Sequence, residues 1–287
     1  MNKSTGIGKI TATLEELGLP RLLRLGVAGA VPPLWYEIAL LHYRGSYHSR
    51  FMWMPVASLP LVVAGGAVST FVGDEGRSRA IFRPLAWLMT LVGAAGTFFH
   101  LRGIRRQMGG FQNWKYNVVT GPPFPAPPQV ALLGLLGVAA SGRSLPSDSR
   151  RNRRETEALA QWARAVDALS YVLLGVESGY NHWIGGYFNK VMFTPVALSP
   201  ALALVHLGAF TRVRSAQVAE GPLSGVAVVA GLVGFGFHLR NIGRRSGGFS
   251  WQNLFYGPPA VAPLQLTGQG ILGLLAALFS RGAGGRR

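Results

Sequence analysis

The chain has 287 residues, of which 49% are hydrophobic and only 14% charged, with a mean hydropathy of +0.27 and a net charge of +17. Such a balance excludes an ordinary water-soluble domain and points to a membrane protein. The basic excess does not mark a nucleic-acid binder, because Arg and Lys collect between apolar runs and not along one polar face; with no cysteine, disulfides and thiolate metal sites are excluded as well.

In chain order, residues 1–21 form an amphipathic N-terminus without the apolar centre and small-residue cleavage site of a removable signal peptide. Spans are then predicted near 22–43, 51–73, 84–103 and 126–142, a basic linker at 143–159, further spans near 160–183, 191–211, 222–242 and 262–280, and a basic tail at 281–287. Several uncharged runs reach the roughly 20 residues that a crossing helix requires. The expected fold is an all-α integral membrane protein with eight transmembrane helices.

The halves of the chain match one another. "EIALLHYRGSYHSRFMWMPVASLP" from Glu37 aligns without a gap on "ESGYNHWIGGYFNKVMFTPVALSP" from Glu177, and Phe99-His100-Leu101-Arg102 recurs as Phe237-His238-Leu239-Arg240. This predicts two four-helix repeats, 22–142 and 160–280. Four spans per repeat is an even number, so both repeats enter the membrane in one direction, related by a pseudo-twofold axis along its normal. Of the Lys and Arg residues, 18 fall in the termini and the loops on their side and ten on the other. The positive-inside rule then places both termini in the cytoplasm of a bacterial cell, with the chain multi-pass in the cytoplasmic (inner) membrane. Trp53, Trp114, Trp183 and Trp251 sit at the outer ends of spans, as an aromatic belt requires.

Four histidines reach the outer face, His42 and His182 at the end of the first span of each repeat, His100 and His238 at the end of the third. Ionisable residues in spans are costly and serve as ligands, relays or paired charges. Glu37 and Glu177 lie five residues before His42 and His182, about 140° around a helix, so an unbroken helix does not aim both at one ion. Each glutamate is a ligand or an orienting partner of a histidine on a neighbouring helix. Gly93 and Gly96 share a face with His100, as Gly231 and Gly234 do with His238. These lanes either let helices pack closely or receive a flat ring such as haem or quinone. Arg102, Arg105 and Arg106, with Arg240, Arg244 and Arg245, are expected to meet lipid phosphate, haem propionates, a bound anion or an acidic partner. Asn117 and Asn253, each followed by Gly-Pro-Pro, mark a structured loop cap. His48, His206 and Asp167 have no counterpart in the other repeat and are set aside as loop, core and interfacial residues.

The leading functional expectation is a membrane redox subunit, an oxidoreductase component linked to quinone. Its histidines hold haem b, or non-haem iron, copper or zinc. A proton-coupled transporter or channel is the alternative from another class, and an anchor docking a peripheral or membrane redox subunit through its arginine-rich loops is a third. The helix count is shared with quinol-oxidising anchors of bacterial respiratory enzymes, an analogy of architecture in which no motif is matched.

Overall fold

A computed structural model describes residues 6–72, 74–142 and 149–281, and among them every regular element is helical. The helices are α1 (Gly6–Leu17), α2 (Leu19–Arg44), α3 (Trp53–Phe71), α4 (Glu75–Arg106), α5 (Trp114–Thr120), α6 (Ala126–Ser141), α7 (Ser149–Ile184), α8 (Phe193–Phe210), α9 (Arg214–Gly243), α10 (Trp251–Tyr256) and α11 (Leu264–Arg281). Each predicted span falls on one long helix. Residues 1–5 of the predicted N-terminus, 143–148 of the linker and 282–287 of the tail lie outside the described residues, while 149–159 forms the first turns of α7.

Local chemistry sets the boundaries. Pro20 opens α2 and Pro127 opens α6, positions where a missing N–H costs no helical bond. Asp74 caps α4 by accepting from the Arg77 amide at 2.7 Å. The turn after α2 needs left-handed backbone at Ser46 and Tyr47 (φ 56° and 45°), and the turn after α7 needs it at Gly186 and Tyr187 (φ 75° and 45°). Only at 186 does a glycine remove the steric cost. Prolines also stand inside α2, α3, α4, α8 and α9. Membrane helices tolerate them because neighbouring helices re-satisfy the freed carbonyls.

The helices divide into an inner and an outer set. α2, α6, α7 and α11 pack on one another around the shared centre, while α3 and α4 flank one side, α8 and α9 the other. Most of the main apolar core lies here, from Leu23, Val27 and Val31 of α2 to Leu136 of α6, Ala163 of α7 and Ala276 of α11. The outer helices turn large apolar side chains outward, among them Leu91, Leu204, Val229 and Leu232. Among the described residues four helical segments are long and apolar enough to cross a membrane, and they lie at Arg50–Ser69, Glu75–Arg106, Lys190–Phe210 and Arg214–Gly243. These are the outer four. The inner helices are shorter or carry more charge, and a helix surrounded by other helices needs no apolar stripe all round.

Candidate functional site

All four histidines are half-buried, and each ties the end of its helix to the loop that follows. His42 Nδ1 lies 2.7 Å from the Met52 carbonyl and His182 Nδ1 2.6 Å from that of Met192. His100 Nδ1 lies 2.9 Å from the Pro123 carbonyl and His238 Nδ1 2.6 Å from that of Pro259. A carbonyl only accepts, so in each case Nδ1 carries the proton and donates it. The lone pair is then on Nε2, the state in which imidazole binds metal. His42 lies within electrostatic range of His100, and His182 of His238. The side chains of Tyr47 and Tyr187 meet His42 and His182 edge-on and donate to the Ala39 and Gly179 carbonyls.

The glycine lanes receive helices and not a ring. A Cβ on Gly93 would stand 2.3 Å from the Ala131 nitrogen, and one on Gly96 3.1 Å from Pro127, so α6 fills the lane below His100. On Gly231 and Gly234 the corresponding contacts are Thr267 of α11 and Pro263 just before it. The expectation of a haem or quinone ring against the lane is therefore corrected in favour of close packing, which small residues permit. Among the described residues no three His, Asp or Glu side chains converge as a metal-ion set. The four histidines therefore do not gather, with the glutamates, around one ion.

The glutamates face elsewhere. Glu37 and Glu177 turn into the centre, and the charge of Glu177 reaches Glu37. The Gln129 amide donates to Glu177 Oε2 at 2.9 Å, and the Gln269 amide stands 3.5 Å from Gln129 Oε1. Glu37 is 8% exposed, and its Oε2 is buried without a hydrogen-bond partner, as are Oε1 of Gln265 and Gln269. The 140° separation from the histidines thus has a structural meaning. Histidines serve the helix ends, and glutamates serve the inner four-helix contact.

Arg102, Arg105 and Arg106 in the last turns of α4, Arg240 in the last turn of α9, and Arg244 and Arg245 just after it are exposed. Asn117 and Asn253 organise the loops that follow. Asn117 Nδ2 donates to the Met108 and Gly110 carbonyls at 3.1 and 2.7 Å, and Asn253 Nδ2 to those of Ser246 and Gly248 at 2.8 and 2.7 Å. Asn117→Ala leaves both carbonyls without that donor and is expected to cost about 1–2 kcal/mol, with a similar loss for Asn253→Ala. Thermal unfolding in one detergent checks this, and an unchanged midpoint for either variant defeats the cap assignment.

Two features escaped the sequence. At the end of the bundle that carries the four histidines, a cleft of about 730 Å³ is lined by Tyr43, Arg44, Ser46, Tyr47, Phe255 and Tyr256. The Arg44 guanidinium lies 5.4 Å from the centre of the Phe255 ring, and its Nε is buried without a partner. Ile184 stands where the other half would repeat this arginine, so the duplication gave no signal. At the opposite end, Asp167 and His206 prove to be fully buried neighbours, His206 Nε2 lying 3.4 Å from Asp167 Oδ2. Asp167 is not interfacial. No protein-family model, curated protein or solved structure matches the chain.

Proposed function

We propose that the protein is a proton-coupled membrane transporter in which Glu37 and Glu177 form the coupling site. The observation that carries this reading is the placing of two carboxyl side chains, one from α2 and one from α7, at the inner four-helix contact, Glu177 bonded to Gln129 of α6 and Glu37 with a buried oxygen that has no partner. Two nearby carboxylates in a low dielectric are neutralised most cheaply by a proton, and intramembrane carboxylates are the usual carriers of proton relays. Gln129 and Gln269 supply neutral partners that accept either protonation state.

The membrane frame of this proposal is eight spans in two duplicated four-helix units. The inner and outer division supports it: the outer helices meet lipid and read as apolar, whereas α2, α6, α7 and α11 meet mainly protein. Recurrence of the same bonds 140 residues apart, from His42 to Met52 and from His182 to Met192, supports the duplication. The distribution of Lys and Arg supports both termini on the cytoplasmic side of a bacterial inner membrane.

In proteoliposomes with a trapped pH indicator, a panel of solutes is expected to include one whose gradient moves protons in the unaltered protein. The Glu37→Gln, Glu177→Gln double variant is expected to abolish that movement, while gaining about 1 kcal/mol of stability because the buried carboxylates are gone. Solute-driven proton movement that survives in the double variant overturns the proposal.

A redox subunit is a second reading, favoured by one observation, the bare Nε2 atoms of the pairs His42 with His100 and His182 with His238. A neutral imidazole with its Nε2 open is the kind of side chain that ligates b-type haem, and the six exposed arginines would then face propionates or an acidic peripheral subunit. A Soret band in protein purified from haem-replete cells supports this reading, and its absence removes it.

A further inference from the structure

At the end of the bundle away from the four histidines, α7, α8 and α9 bury a second set of ionisable groups. Arg164 of α7 and Glu220 of α9, 2% and 0% exposed, make a two-point pair. Arg164 Nε donates to Glu220 Oε1 and Nη2 to Oε2, both at 2.7 Å. Beside them is His206 of α8, with Nδ1 3.5 Å from Glu220 Oε1, and Nε2 3.4 Å from Asp167 Oδ2 and 3.5 Å from Ser224 Oγ. Tyr171 stacks on the imidazole, and α11 closes the far side with Gly273, where a Cβ would stand 2.6 Å from His206 Cε1. These are the charged and titratable groups that face His206 from the helices packed on it. Both oxygens of Asp167, His206 Nδ1 and the hydroxyls of Tyr171 and Ser199 are nonetheless buried without a hydrogen bond. Orphaned polar atoms of this kind are rare in native proteins, and a cluster of them is the setting in which buried water is found.

The other half of the chain shows that the fold does not require this cluster. The residues 140 positions before Asp167, Tyr171, Ser199 and His206 are Val27, Val31, Leu59 and Gly66, and 138 positions before Glu220 and Ser224 stand Phe82 and Ala86. Val27, Val31, Leu59, Phe82 and Ala86 all belong to the apolar core. The Phe82 ring lies 3.4 Å from where a Cβ on Gly66 would be, filling space that the imidazole of His206 takes in the second half. One half packs this level with hydrocarbon. The other spends the same level on six polar side chains.

Arg164 and Glu220 cancel in charge. What remains is Asp167 and His206, and the cluster is electrically neutral only when that pair carries a proton between them. Either the carboxyl is protonated and the imidazole neutral, or the proton has passed to the imidazole. Glu220, ionised against Arg164, faces His206 Nδ1 and keeps the proton there, so Nε2 is the basic nitrogen and faces Asp167. We propose that Asp167 and His206 form a buried proton-binding site holding one exchangeable proton, with water bound to the unpaired hydroxyls as its route in and out. The exchange breaks O–H on Asp167 Oδ2 and forms N–H on His206 Nε2, with no change in oxidation state. The site lies outside the Glu37–Glu177 centre and stands independently of the role proposed for it.

Infrared titration of the full chain in lipid nanodiscs tests this. In the unaltered protein a protonated-carboxyl band and an imidazole band are expected to change together with pH. Asp167→Asn and His206→Gln are each expected to remove both changes, and Glu37→Gln to keep them. An imidazole band that titrates unchanged in Asp167→Asn overturns the proposal. If both variants fail to fold, ¹⁵N-histidine NMR of the unaltered protein decides. One imidazole shielded from a water-soluble paramagnet must pass between neutral and charged forms as pH changes, and a shielded imidazole fixed in one form overturns it.

Discussion

Arg164→Ala is expected to cost about 3–5 kcal/mol, because it leaves Glu220 charged, fully buried and without its two-point partner. Arg24, the matching arginine of the first half, gives the internal comparison. It is as buried as Arg164, yet its partner Glu75 is 39% exposed and reaches water when the arginine is removed. Arg24→Ala is therefore expected to lose only about 1–2 kcal/mol, most of it from the bonds to the Ala140 carbonyl and Ser78. Thermal unfolding of both variants in one detergent reads the difference. The double change Arg164→Met, Glu220→Leu should recover much of the loss, since apolar residues of similar volume replace a buried pair at little cost. If that double variant is no more stable than Arg164→Ala, an unpaired buried charge is not the source of the damage. Equal losses at Arg164 and Arg24 would likewise show that partner burial does not set the cost.

The helices were legible because length and hydropathy act locally. Every predicted span falls on a helix, and α6 starts at the predicted residue, where Pro125 and Pro127 prevent an earlier beginning. The angular argument for Glu37 and His42 also holds, since rotation along a helix is fixed by its geometry. What the sequence concealed was which helices are inner. Among the described residues the four helices long and apolar enough to cross a membrane are the outer ones, and which helices lie inside appears only from their packing.

The site was legible in part for a similar reason. Comparing the halves by identity finds what they share, namely the histidine tethers, the asparagine caps and the central glutamates. The cluster around His206 lies where they differ. Asp167, His206 and Glu220 come from three helices far apart in sequence, so no local motif announces them. Their signal was the replacement of Val27, Gly66 and Phe82 by three ionisable residues at matched positions. A hydrophobic core position that becomes charged in one copy of a repeat is costly, and that cost is itself the indication of a role.

Gly93→Ala tests the contact that holds each outer helix to the centre. The new methyl would lie 2.3 Å from the Ala131 nitrogen and 2.8 Å from the Pro127 carbonyl oxygen, and backbone cannot rotate away as a side chain can. α4 and α6 must separate, at an expected cost of about 2–3 kcal/mol. Gly231→Ala meets the Thr267 nitrogen at 2.6 Å and the Pro263 oxygen at 2.8 Å, and is expected to behave alike. Gly236, on the same helix as Gly231, has nothing within 4 Å of a built Cβ. Gly236→Ala should then be neutral or gain up to about 1 kcal/mol from helix propensity. A destabilised Gly236→Ala would mean that loss of backbone freedom, and not the helix contact, governs these positions. The separation also reaches the histidine end of the bundle. The Pro123 carbonyl that receives His100 precedes α6, so moving α6 weakens that tether and frees the imidazole. In Gly93→Ala the His100 ring is accordingly expected to become more exposed to a water-soluble histidine reagent, with His238 unchanged. The same protection at His100 as in the unaltered protein would show that the tether does not depend on the α4–α6 contact.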